Sequence, residues 1–599
     1  MGFVTKAKDE RYFFTVAVNA FGELEIIKGL KLRSSFGINY GNDGQELFIP
    51  TDVFSARGVG RAEKSSGQSY NWLNENTLTY DKTFNAIHSI NLTGGFTAQY
   101  WHNKWFNAAI INLTTNLLDA NNFDIGIADV PASSFQDNFL ASYFARANYR
   151  LMDKYLLTFT MRADGSSRFG QNDKWGYFPS GAIAWHLSEE NFVKRIKSIS
   201  DLKLRISYGI TGNQEIGSYN SLSQYSFNAY ALGKIPVLVT GAYPANIANP
   251  DLKWESTASS DIGLDLGLFN NRINITADYY NKKTSNLLLY VDLPRTSGYR
   301  SILLNTGKVA NKGFELAVSS LNFNRNNFRW NTTLVFSTNK NEVLSLGVNK
   351  KLYVGHLSGS LFNGQSPTSS ILIPGSPIGS FYGIVFDGIW QSEDEITKSG
   401  TTDPVHPGDP KYKDLNGDHK ISGEDRMIIG QARPKFTYGL INNFTIGRIN
   451  LNIHLQGVQG NKILNENLWE IQNGQPYHNK LAYVATDSWH GEGTSNTLPR
   501  VSSSLRTNYG LPSDVLENGS YLRIKTVTLS YDLPLFKYLS IFKSSTVYVT
   551  AQNLHVFTKY SGYDPEVNSF GEENALTLGT DYNAYPNYRT FLLGIKFQF

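Results

Sequence analysis

The residues best spaced for chemistry lie in the run DLNGDHKISGED at 414–425. Asp414, Asn416 and Asp418 fall at the first, third and fifth positions of a calcium-loop pattern. Lys420 offers a backbone carbonyl at the seventh, Ser422 stands at the ninth and Asp425 at the twelfth. A hard cation needs several oxygens converging on one point, and this spacing supplies them. Two positions depart from the pattern. His419 stands where the sharp turn calls for glycine, and Asp425 is shorter than the bidentate Glu. The same residues equally suit an Asp/Asn/Gly-rich turn held by internal Asx bonds. No cofactor is required on either reading; the first adds a structural calcium, not a catalytic one.

Other constellations are weaker. The carboxylate pairs Asp564/Glu566, Glu572/Glu573 and Glu189/Glu190 read as solvated loop charges, since nothing sets them across a sugar-binding cleft. The ten histidines are scattered without an HExxH pair, and there is no cysteine, no Walker A lysine loop and no G-x-S-x-G. No catalytic residue is therefore assigned, and the chain does not read as an enzyme. The aromatics Trp469, Tyr477, Trp489, Tyr560, Tyr563, Tyr582 and Tyr585 lie in expected loops, where their faces suit stacking on sugars, peptides or a partner, or packing within the loops. Trp72, Trp101, Trp105, Trp175 and Trp185 read as strand or membrane-edge residues.

The elements that position these residues are strands. Aromatics make up 13% of the 599 residues and charged residues only 18%, below the roughly 25% of soluble domains. A net charge of +4 marks neither a nucleic-acid stripe nor an acidic tail. No apolar run is long enough for a transmembrane helix, and the first residues lack the pattern of a signal peptide. Period-two alternation recurs instead. At the C-terminus Phe591, Leu593, Ile595, Phe597 and Phe599 alternate with Leu592, Gly594, Lys596 and Gln598. Ile262 to Leu268 alternate with Asp261 to Gly267, and Ile273 to Tyr279 follow the turn at Asn270-Asn271. Tyr143 to Tyr149 and Tyr155 to Met161 flank a turn at Met152-Asp153, while Leu522, Ile524 and Val527 to Leu529 carry a register slip.

About 17 such strands are legible, each near the length that crosses a bilayer at a tilt. Only a closed barrel satisfies backbone groups in lipid without helices. The expected class is all-β, a transmembrane antiparallel β-barrel in the outer membrane. Connections alternate in length: 555–587, 460–518, 342–431, 290–308 and 211–255 are long, whereas 533–544, 446–447, 321–327 and 269–272 are short. Barrels of this kind have short periplasmic turns and long extracellular loops. The alternation places Phe599 at the periplasmic rim and the 414–425 loop outside. The odd count predicts at least one further strand before Met1, because bacterial single-chain barrels are even-stranded.

Several stretches resemble the SusC/RagA class of TonB-dependent outer-membrane transporters: LKLRISYGITGNQEIGSYNSL at 202–222, NPDLKWESTASSDIGLDLGLFNNRINITADYYNKKTSNLLL at 249–289, NTGKVANKGFELAVSS at 305–320, PIGSFYGIVFDGIWQ at 377–391, GDPKYKDLNGDHKISGEDRMIIG at 408–430, ENGSYLRIKTVTLSYDLP at 517–534 and VYVTAQNLHVFTKYSGYDPE at 547–566. ADGSSRFG at 163–170 and KWGYFPSGAIAW at 174–185 fit as well. The resemblance implies a plugged barrel of about 22 strands, so residues 1–599 are expected to be its C-terminal part, without signal peptide, TonB box or plug. It implies uptake of a large nutrient, an oligosaccharide or peptide, energised by TonB–ExbB–ExbD through the N-terminal part, with a SusD-like surface lipoprotein as lid. This chain alone is expected not to be competent for energised transport. The terminal stripe Phe591, Leu593, Ile595, Phe597 and Phe599 resembles the signal read by the barrel-assembly machinery. The alternatives are a passive porin-like channel and a soluble all-β glycan-binding protein.

Overall fold

A computed structural model of the chain describes residues 6–53, 58–232, 237–355, 357, 368–472, 479–502, 510–534, 543–570 and 576–598. It divides into two compact units. The first contains strands β1 (Lys8–Ile27), β2 (Leu30–Ile49), β3 (Arg61–Phe84), β4 (His88–Ile111), β5 (Ala132–Leu151), β6 (Tyr155–Ser166) and most of β7 (Trp175–His186). The unit boundary falls within β8 (Ile199–Asn213), β9 (Glu255–Leu268), β10 (Ile273–Asp292) and β11 (Ser301–Arg325). The second unit holds β12 (Phe328–Leu346), β13 (Phe436–Ile446), β14 (Ile449–Gln459), β15 (Tyr521–Leu533), β16 (Ser544–Thr558) and β17 (Thr590–Gln598).

In the first unit each strand from β1 to β7 pairs antiparallel with the next. In the second the same holds from β11 to β17. The expected turns are present. Met152 and Asp153 both take positive φ (55° and 56°), as do Asn270 and Asn271 (57° each), the left-handed pair that matches the twist of a hairpin. The slip in β15 is a bulge between Ile524 and Thr526, recorded against both neighbours. One connection is shorter than expected: β10 runs to Asp292 and β11 starts at Ser301, so only 293–300 remain of the expected loop 290–308. The apolar run LLLYV at 287–291, rich in strand-favouring residues, continues the strand past the point where a loop was expected.

The two faces of the strands differ chemically. In the second unit Leu451, Leu529, Val549 and Leu593 lie side by side in register on one face. Leu529, Val549 and Leu593 are exposed. On the other face Thr528 and Thr550 share a hydroxyl hydrogen bond of 2.9 Å. In the first unit Leu157, Phe159 and Ile183 are exposed, while behind them Thr158 donates to Asn148 and Asn148 to Asn91, both at 3.0 Å. A continuous apolar face of this extent would drive association in water. Against lipid it is the solvated face, and the ladder of polar side chains is the lumenal one.

Candidate functional site

The long connections that follow the outer ends of the strands in the second unit are not loose. Segment Ser380–Ile384 pairs with Met427–Gln431 and, in parallel, with Leu511–Pro512. Lys462–Asn465 pairs with Leu516–Asn518 and, in parallel, with Thr580–Asp581. Three connections, 347–435, 460–520 and 559–589, are thereby tied into one head. Its core is Leu357, Phe381, Leu464, Trp469, Leu511, Val515 and Leu516, all buried. In the first unit a comparable core forms from Phe169, Phe178, Ile216, Leu252 and Trp254, with the Trp254 indole N–H donating to the Lys174 carbonyl at 3.0 Å.

The seven loop aromatics separate into structural and accessible ones. Trp469 belongs to the head core, and Tyr560 is buried with its hydroxyl donating to Asp581 at 2.5 Å. Burial first, and then that hydrogen bond, push the Tyr560 hydroxyl up from its ordinary range. Trp489 is half-buried, and its indole N–H donates to Gln391 Oε1 at 3.1 Å. Tyr582 is half-buried and stacks on Phe570. Tyr563 and Tyr585 stand out at 88% and 89% exposure, the accessible rings of the set among the described residues. Tyr477 lies outside the described residues, as does Phe599 of the terminal stripe. Phe591, Leu593, Ile595 and Phe597 of that stripe are all exposed on one face of β17.

The 414–425 run closes on itself. Asp414 accepts the Gly417 and His419 amides at 2.7 and 2.8 Å, Asn416 accepts the Asp418 amide, and Asp418 accepts the Lys420 amide. The Gly417 amide above all holds the Asp414 carboxyl below its usual range. Asp425 is fully buried and bridges the loop, taking Leu415 N–H at 2.9 Å and Ser422 N–H at 2.7 Å. His419 meets the turn requirement without glycine by taking a positive φ of 64°. These are interlocked Asx turns. Among the described residues no three His, Cys, Asp or Glu side chains gather so as to hold a metal ion. Asp425→Ala would orphan two main-chain donors. We expect the loop to lose about 2–4 kcal/mol of local stability, read as faster hydrogen exchange at Leu415 and Ser422, with Asp425→Asn falling between.

One carboxylate pair needs correcting. Asp564 is not a solvated loop charge: it is buried, and its Oδ1 pairs with Arg523 of β15 at 2.5 Å, where Arg523 is itself only 1% exposed. Glu566 lies 3.5 Å from both Arg523 and Lys525. Burial raises the Asp564 carboxyl, but the Arg523 guanidinium and the Glu566 amide outweigh it and hold it below the usual range. The signal available in the sequence was Arg523 itself, a cation set between the apolar Leu522 and Ile524 near the start of the strand. Of the other pairs, Glu189 is bound by Lys194 at 2.7 Å, and Glu572 and Glu573 lie outside the described residues.

Lipid-facing strands, a polar inner ladder and a packed outer head define an outer-membrane β-barrel receptor. A family model described as TonB dependent receptor-like, beta-barrel matches residues 8–375, more than half the chain, and the chain belongs to that family. It is 36% identical over 605 residues to TonB-dependent receptor P3 of Formosa agariphila, covering 99% of this chain and 59% of the relative. It is 31% identical over 474 residues to TonB-dependent receptor SusC of Bacteroides thetaiotaomicron, covering 77% of this chain and 44% of the relative. The solved structure of the RagAB peptide transporter superposes with a TM-score of 0.83 at 24% identity, covering 99% of this chain and 63% of that one. The chain thus spans about 59% of the length of the first of these relatives.

Proposed function

We propose that the chain is the translocating barrel of an outer-membrane importer for a large nutrient, an oligosaccharide or a peptide. The observation that carries the reading is the outer head, in which two loops share one core and the third pairs with it through Thr580–Asp581, yet Tyr563 and Tyr585 stay almost fully exposed. A rigid scaffold presenting free aromatic rings suits recognition of a bulky ligand or of a lidding partner. The likeness to SusC and to the RagAB peptide transporter supports a SusD-like surface lipoprotein as that partner, with TonB–ExbB–ExbD supplying energy. Passage runs along the polar strand face, whose hydroxyl and amide side chains carry hydrogen-bonding cargo without an apolar barrier.

Uptake of fluorescent oligosaccharides and peptides tests this in cells with and without the gene, and with and without TonB. Import lost on removal of either is the expected result. Import that persists without TonB would instead make the barrel a passive channel. Tyr563→Ala/Tyr585→Ala is expected to lower uptake several-fold while leaving the protein folded, because neither exposed ring supports the core.

A further inference from the structure

The polar face of the second unit contains a hollow of about 490 Å³. Its floor is made by small side chains in register across three strands: Ala317 of β11 faces Val335 of β12, which faces Gly439 of β13. The floor has little bulk to spare. A Cβ on Gly439 would come within 2.9 Å of Val335 Cγ2. Around it stand Glu315, Ser337 and Thr437, themselves in register, with His454 and Gln456 on β14.

The rim groups are unspent. Among the described residues Glu315 makes no ion pair, and the side chains of His454 and Gln456 make no hydrogen bond. The neighbouring carboxylates are matched: Arg205 holds Asp278 at 2.8 Å, and Arg205 and Lys203 both hold Asp265 at 2.9 Å. Lys282 lies over the Tyr280 ring, its Nζ 4.9 Å from the centroid. Glu315 is therefore the carboxylate at the hollow left without a fixed counter-charge, flanked by a carboxamide, an imidazole and two hydroxyls.

We propose that this hollow is a subsite for a basic side chain, a guanidinium or ammonium group. Glu315 supplies the counter-charge, and Gln456 Oε1 with the Ser337 and Thr437 hydroxyls accept the remaining N–H groups. A guanidinium carries five donors in a planar fork and needs several acceptors around one carboxylate. The volume lies within the range of ligand pockets and admits such a side chain with its flanking backbone. The same chemistry can arrive on a passing peptide or on another segment of the full-length polypeptide. Only the first source rests on the import reading.

The test is titration of the purified, detergent-solubilised chain with Nα-acetyl-arginine amide, followed by calorimetry. The expected result is saturable binding that Glu315→Gln weakens at least tenfold and Glu315→Asp largely restores. Raising salt should weaken it, as for a solvent-accessible charge pair. Equal binding to wild type and Glu315→Gln overturns the proposal, as does equal competition by Nα-acetyl-glutamine amide or maltose. In cells, Glu315→Gln that selectively slows import of arginine-containing peptides assigns the subsite to substrate. Unchanged import alongside the tenfold binding loss assigns it to another segment of the polypeptide. Import that proves independent of TonB removes the energised-transport reading and leaves the binding result intact.

Discussion

Asp564→Ala is expected to loosen the 559–589 loop from the barrel wall by about 3 kcal/mol, the low end of the range for stripping one partner from a buried ion pair. The reason is Arg523. Its side chain is 1% exposed, its Nε has no hydrogen-bond partner among the described residues, and Asp564 is its short-range counter-charge. Glu566, at 3.5 Å and more exposed, offsets part of the loss. Limited proteolysis of the detergent-solubilised protein should cut within 559–589 far faster in the variant, and the Glu566 amide, which Asp564 accepts at 2.8 Å, should exchange faster. Arg523→Met/Asp564→Leu removes both charges and should recover most of the loss, since the penalty belongs to the orphaned guanidinium.

The pH dependence follows from the direction of the shift. Asp564 is held below its ordinary value of 3.8. Its contribution is therefore complete above that value and is lost as pH falls through the lower folded one. The wild-type loop should stay protected through the neutral and mildly acidic range and loosen only below about pH 4. The Asp564→Ala variant should show no such acid step.

Much of the barrel was legible because a strand's period of two is a local property. Phe591 to Phe597, Ile262 to Leu268 and the Met152-Asp153 turn each carry their signal within a few residues. The slip at Ile524 was visible as a break in that period. The outer head was not legible, because its order comes from contacts between segments far apart in sequence. Nothing near Leu464 announces Thr580, and nothing near Gly383 announces Leu511. For the same reason the sequence left Trp469 and Tyr560 open between ligand contact and loop packing, where the structure packs both, and Asp564 read as solvated although Arg523 meets it from forty-one positions away. The 414–425 run shows the converse problem. One spacing serves a cation loop and an Asx turn alike, and in the structure the Asp414 and Asp425 carboxylates accept main-chain amides.

One strand face meets lipid and the other does not, and two adjacent leucines isolate this difference. Leu593 lies in register with Val549 and Leu529 on the apolar face, whereas Leu592 is in register with Thr550 and, beyond it, Thr528 on the polar face. Both are exposed in the chain itself, Leu593 at 78% and Leu592 at 44%, so neither change disturbs a packed core. Arginine on a lipid face near the bilayer centre costs about 2–4 kcal/mol, while a lumenal position tolerates it. The measurement is reversible unfolding from lipid vesicles for the wild type, Leu593→Arg and Leu592→Arg. A loss of about 2–4 kcal/mol for Leu593→Arg with less than about 1 kcal/mol for Leu592→Arg is the predicted result; equal losses, or the larger loss at Leu592, would contradict it.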